Sequence, residues 1–126
     1  MNEGTLQAKY FSYQGRLNRK RYIFRSLKLV LANFLFAFVT GAILVFFEMV
    51  ENDSEGLENL LAILSWPFAI SGVMLTIRRW HDMNRSGWWV LLNFIPVVNF
   101  IALIVLCCVK GTDGPNDFGE DPLMYE

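Results

Sequence analysis

Apolar residues lie along this chain in blocks separated by short charged stretches. Residues 26–47 form the first block and 59–77 the second. A third covers 87–108 and is interrupted by Asn93, Pro96 and Asn99. Inside the blocks the apolar positions follow neither the 3.6 nor the 2 period of a half-buried element. At ~1.5 Å per residue the first block rises about 33 Å, enough for a hydrocarbon core of about 30 Å. The pattern predicts an all-α, polytopic membrane protein with about three transmembrane helices, forming one domain over 1–126.

Prolines qualify two of the blocks. Pro67 removes a backbone hydrogen bond near the centre of the second and predicts a kink there. The third block reads two ways. As one helix it spans the bilayer with a kink at Pro96. Broken near Pro96, its halves each reach about 15 to 20 Å, half-way in and back, with Asn93, Pro96 and Asn99 at a re-entrant tip. Length alone favours the single kinked span.

The flanking segments are polar. Residues 1–25 interleave Leu6, Tyr10, Phe11, Tyr13, Leu17, Tyr22 and Phe24 with Lys9, Arg16, Arg19, Lys20 and Arg21, which predicts an interfacial segment at the headgroup layer. Gly15 divides it, and Asn18 is placed to cap a helix running into the membrane. Residues 48–58 form an acidic loop. Residues 110–126, with Gly-Thr-Asp-Gly-Pro and Phe-Gly-Glu-Asp-Pro, carry turn chemistry without periodicity and read as an exposed tail.

Composition supports a membrane setting. The chain is 54% hydrophobic and 18% charged, against about 25% charged in soluble domains. The net charge of -1 hides an asymmetry: seven Lys or Arg and one acid precede residue 30, and five acids and no base lie between 48 and 58. By the positive-inside rule the amino terminus and the turn after the second block face the cytoplasm, and the acidic loop lies outside. The tail falls outside for three full spans and inside if the last block turns back. A membrane segment follows the basic block at once, which argues against nucleic-acid binding.

Between the second and third blocks stands Arg78-Arg79-Trp80-His81-Asp82-Met83-Asn84-Arg85-Ser86-Gly87-Trp88-Trp89. It gathers three arginines, the single histidine and three of the four tryptophans. His81 and Asp82 are the acid–base candidates, but neighbours on a helix point about 100° apart, and Ser86 is the one nucleophile within reach. The lone histidine and the adjacent Cys107 and Cys108 give no metal-ligand spacing, so neither a metal nor a cofactor is expected. The arginines suit phosphate headgroups or an acidic partner, and equally serve as interface anchors. A structural account has Asp82 pairing with an arginine and Asn84 or Ser86 capping the next helix.

The pattern Arg-Arg-Trp-His-Asp-x-x-Arg-Ser-Gly-Trp-Trp, with Pro96 beyond it, resembles the bacterial membrane family called domain of unknown function 805. Phe11, Gly15, Arg16, Arg19 and Tyr22 match its amino-terminal pattern, and Asn116, Gly119 and Pro122 its tail pattern. Trp80 stands where the family usually has leucine, Lys20-Arg21 where a basic–acidic pair is common, and Asn99 where glycine is usual. The resemblance implies a small inner-membrane protein with a few membrane helices, and no reaction.

The leading expectation is therefore a non-enzymatic, multi-pass inner-membrane protein with its amino terminus in the cytoplasm. It would bind anionic lipid headgroups or another membrane protein through a cytoplasmic face made by Arg16, Arg19, Arg78, Arg79, His81, Asp82, Arg85, Ser86 and Trp88. A second reading is a subunit of a small transporter or channel, with Asn93 and Asn99 on a polar path; that reading requires a homo-oligomer. A membrane hydrolase or transferase using His81 and Asp82 is the third.

Overall fold

In the computed structural model, residues 4–50 and 55–125 are described. Residues 51–54 of the acidic loop lie outside them. Thr5 caps a short helix α1 (Leu6–Tyr10), its hydroxyl accepting from Ala8 N. Two long helices follow, α2 (Arg19–Val50) and α3 (Glu55–Asp82). A 3-10 helix covers Gly87–Phe94, then α4 (Pro96–Cys108), and a 3-10 turn at Pro122–Tyr125 ends the fold. Among the described residues there is no strand, and one isolated bridge pairs Asn116 with Gly119.

α2 starts where Asn18 caps it: Asn18 Oδ1 accepts from Arg21 N at 2.8 Å. With 32 residues it rises about 48 Å, and α3 with 28 about 42 Å. Both are long and apolar enough to cross a membrane. They run antiparallel, Leu29 lying against Gly72 and Phe36 against Phe68. Away from their charged ends they show bare apolar side chains: Phe34 is 65% and Phe38 69% exposed. Two packed helices cannot bury that surface on each other, so lipid must cover it. α3 continues through Pro67.

α3 stops through a Schellman motif. Asn84 takes a left-handed conformation (φ 56), its N–H donates to His81 O, and Arg85 N–H donates to Trp80 O. Ser86 then caps the 3-10 helix, accepting from Trp88 N at 3.2 Å.

The third apolar block departs from the single kinked span that length favoured. It breaks at Ile95, extended at φ -91 and ψ 119, and Pro96 begins a new helix at its first position. α4 has 13 residues, about 20 Å, which is too short to cross. Its far end returns to the charged end of α3, where Arg79 Nε donates to Leu106 O at 2.7 Å. At the break, Trp80 Nε1 donates to Asn93 Oδ1 and Asn93 Nδ2 lies 3.5 Å from Asn99 Oδ1. The small core lies at this end of the helix pair and contains Leu17, Tyr22, Leu75, Trp80, Val90, Ala102 and Leu106.

Candidate functional site

Asp82 sits in the last turn of α3, where helix geometry points it toward both the amino-terminal segment and the returning tail. Arg16 Nε donates to its Oδ1 at 3.1 Å, and Arg79 Nη1 donates to its Oδ2. The same guanidinium of Arg16 reaches the tail, donating to Thr112 O at 2.5 Å and Gly114 O at 2.6 Å. Arg79 also donates to Leu106 O and Val109 O. A buried carboxylate with two guanidiniums is tolerable because every charge meets an opposite charge or a carbonyl dipole.

The arginines near this centre solve one problem repeatedly. The last carbonyls of a helix have no helical donor, and a cation near them also complements the helix dipole. Arg79 and Arg19 serve the end of α4, Arg19 Nη1 donating to Cys108 O at 2.9 Å. Arg78 and Arg25 serve the end of α1 through Ala8 O and Lys9 O. Two of the four are fully buried, Arg78 and Arg79 both being 0% exposed, and Arg19 makes its bond from an exposed position.

This geometry corrects the expected single contact face. Arg16, Arg78, Arg79, His81 and Asp82 are buried, and the hydrogen bonds their side chains make run to the protein's own backbone and to each other. Arg19, Arg85, Ser86 and Trp88 are exposed, and Trp88 is 79% so. Of these, Ser86 serves as a cap and Arg85 stacks over the Trp89 ring at 4.9 Å. His81 and Asp82 do not form an acid–base pair. His81 Nδ1 meets Gly15 O at 3.1 Å, and its ring stacks on Phe118 with centroids 4.0 Å apart. Among the described residues no group of three or more His, Cys, Asp or Glu comes together to hold a metal ion.

The tail, read as exposed, is part of the site. Thr112 N donates to Asp82 O at 2.7 Å, and Asn116 Nδ2 to His81 O at 2.9 Å. Gly111 passes so close to Asp82 that a Cβ there would lie 2.9 Å from the Asp82 carbonyl oxygen and closer still to its carboxylate. Asp121 accepts from Gly114 N and Leu123 N, and these N–H donors hold its carboxyl below the usual carboxylate range. Sequence reasoning missed Gly111, Thr112 and Phe118. Gly-Thr-Asp-Gly-Pro announced a turn, but nothing local names what a turn packs against.

Two grooves open beside this centre. One, about 640 Å³, runs between the Tyr13–Gly15 segment, His81, Phe118 and the start of the 3-10 helix. The other, about 470 Å³, lies between α4 and the Trp80–Trp89 pair, with Arg85 and Lys110 among its lining residues.

The contacts that tie Arg16 to Asp82 and to the tail fall within one stretch of chain. That stretch coincides with a family profile described as "Protein of unknown function (DUF805)", which matches residues 10–120. The chain belongs to the DUF805 family. Relatives include the inner membrane protein YhaH of Escherichia coli (strain K12), 35% identical over 119 residues, covering 91% of this chain and 90% of YhaH. The inner membrane protein YhaI of the same strain is 34% identical over 113 residues, covering 90% and 87%. No solved structure matches this DUF805 chain.

Proposed function

We propose that this DUF805 protein is a non-enzymatic protein of the bacterial inner membrane that binds anionic phospholipid at the cytoplasmic surface. In this reading α2 and α3 cross the bilayer and α4 re-enters it. The amino terminus, the Arg78–Arg85 turn and the tail share the cytoplasmic side. The names of YhaH and YhaI support the compartment, and the basic residues before residue 30 support the orientation.

One observation carries the lipid reading. The groove has a mainly apolar lining that includes Trp80, Trp89, Ala102 and Val105, and the cationic Arg85 and Lys110 line it as well. An acyl chain suits such a wall, and the two cations in the lining suit a phosphate. Lys110 is paired with Asp113 at 2.7 Å, but both side chains are mostly exposed. A surface pair of this kind is worth about 0–1 kcal/mol and yields readily to a phosphate. Asn93 and Asn99, the polar path of a transporter, instead bond to Trp80 and to each other.

The test compares the purified protein in nanodiscs of phosphatidylcholine with and without phosphatidylglycerol. Phosphatidylglycerol is expected to raise the melting temperature, since a ligand of the folded state stabilises it. Equal melting temperatures in both lipids would refute the reading.

A further inference from the structure

We propose that the groove beside His81 binds a membrane quinol, with the quinol hydroxyl donating to His81 Nε2. This site is separate from the lipid groove and does not depend on it. His81 is the chain's single histidine and is more than nine-tenths buried. Its Nδ1 faces the carbonyl of Gly15. A carbonyl can only accept, so Nδ1 carries the proton, and in the neutral ring Nε2 is left as an acceptor. Nε2 lies on the groove side, 3.4 Å from where a Cβ on Gly87 would stand. The absent side chain at Gly87 therefore leaves Nε2 open to the groove.

The walls define the occupant. Among the described residues no formally charged side chain lines the groove, so a neutral headgroup matches it and a phosphate does not. Tyr13, Trp88 and Phe118 give aromatic faces, and Ile77 and Leu91 give an apolar run. A flat ring gains from stacking on such faces, and an isoprenoid tail continues along Leu91, which is itself exposed. The volume, about 640 Å³, is in the ordinary range for a small-molecule site. The acceptor also sets a preference between redox forms. A quinol brings an O–H to Nε2, whereas a quinone presents carbonyl oxygens to it and leaves the acceptor unpaired. No electron transfer is part of the proposal.

The experiment uses the full-length protein in phosphatidylcholine nanodiscs, labelled with ¹⁵N-histidine. Ubiquinol-2 under anaerobic reduction and ubiquinone-2 are titrated separately. The expected result is a shift of the His81 Nε2 resonance with the quinol, and quinone binding at least about tenfold weaker. Trp88→Ala should weaken quinol binding several-fold while leaving the ligand-free His81 resonance in place. His81→Phe keeps an aromatic ring against Phe118 and should abolish the preference for the reduced form. Equal affinity for the two forms overturns the proposal, as does an unmoved Nε2 resonance at saturating quinol. So does a dioleoylglycerol titration that reproduces the shift when ubiquinol-2 does not, because the flat ring would then be irrelevant.

Discussion

Arg16 and Asp82 meet side chain to side chain at 3.1 Å across 66 positions of chain. This contact joins the amino-terminal segment to the end of α3, and through Arg16 to the tail carbonyls of Thr112 and Gly114. Removing Asp82 leaves the guanidiniums of Arg16 and Arg79 buried without their counter-charge. Asp82→Ala should cost about 3–5 kcal/mol, read as a lower melting temperature and weaker accumulation in membranes. A variant that melts within a degree of the parent would show that the pair does not hold the fold.

Gly111 is predicted to be intolerant of any side chain. A Cβ there collides with both the carboxylate and the carbonyl of Asp82, and the main chain at Thr112 is pinned by its bond to Asp82 O. Gly111→Ala should therefore destabilise as much as losing Asp82. Gly41→Ala is the internal control, since a Cβ there meets nothing within 4 Å; its stability should stay within about 1 kcal/mol of the parent's.

Acid should loosen the turn that Asp121 holds in the tail. The folded pKa of Asp121 is depressed by its bonds from Leu123 N and Gly114 N. Its contribution is thus fully present above the unfolded value of about 3.9 and is lost as pH falls through the folded value. Hydrogen exchange at Gly114 and Leu123 should accelerate below about pH 4, and Asp121→Asn should abolish that pH dependence. Exchange that stays pH-independent in the parent, after correction for intrinsic rates, would contradict this.

Both termini should report from one side of the membrane. The end of α4 is tied to Arg79 and Arg19, next to the segment that starts α2. A carboxy-terminal fusion to a reporter active only in the cytoplasm should give signal, and a periplasm-dependent reporter should not. The reverse pattern would mean that the whole third block, 87–108, crosses.

The two long helices were legible as apolar blocks, and the start of the first at Asn18 was legible as a cap; the helices extend past the blocks, 26–47 lying within Arg19–Val50 and 59–77 within Glu55–Asp82. Hydropathy finds where lipid ends, whereas helical hydrogen bonding continues until something caps it, here Asn18 at one end and Asn84 at the other. Asn84 and Ser86 were both candidate caps; Asn84 closes α3 and Ser86 opens the next element. The Arg–Asp pairing was also foreseen. The return of the third block toward α3 was one of two readings, and length favoured the other because it cannot weigh the carbonyls of Leu106 and Val109 against a full crossing. The motif residues were found but set on the outside, since charge at a membrane edge reads as surface until the backbone it serves is known.

Arg16 also sets an order of events during biosynthesis. It leaves the ribosome well before two of its acceptors, Thr112 and Gly114, which lie 96 and 98 residues later. Until they emerge, Arg16 must keep its hydration shell, and α4 lacks the anchorage that holds its far end. The first two helices are thus synthesised before the third segment can be fixed. Truncation ahead of Thr112 should leave a species that inserts yet never closes, and so one recognised by membrane quality control.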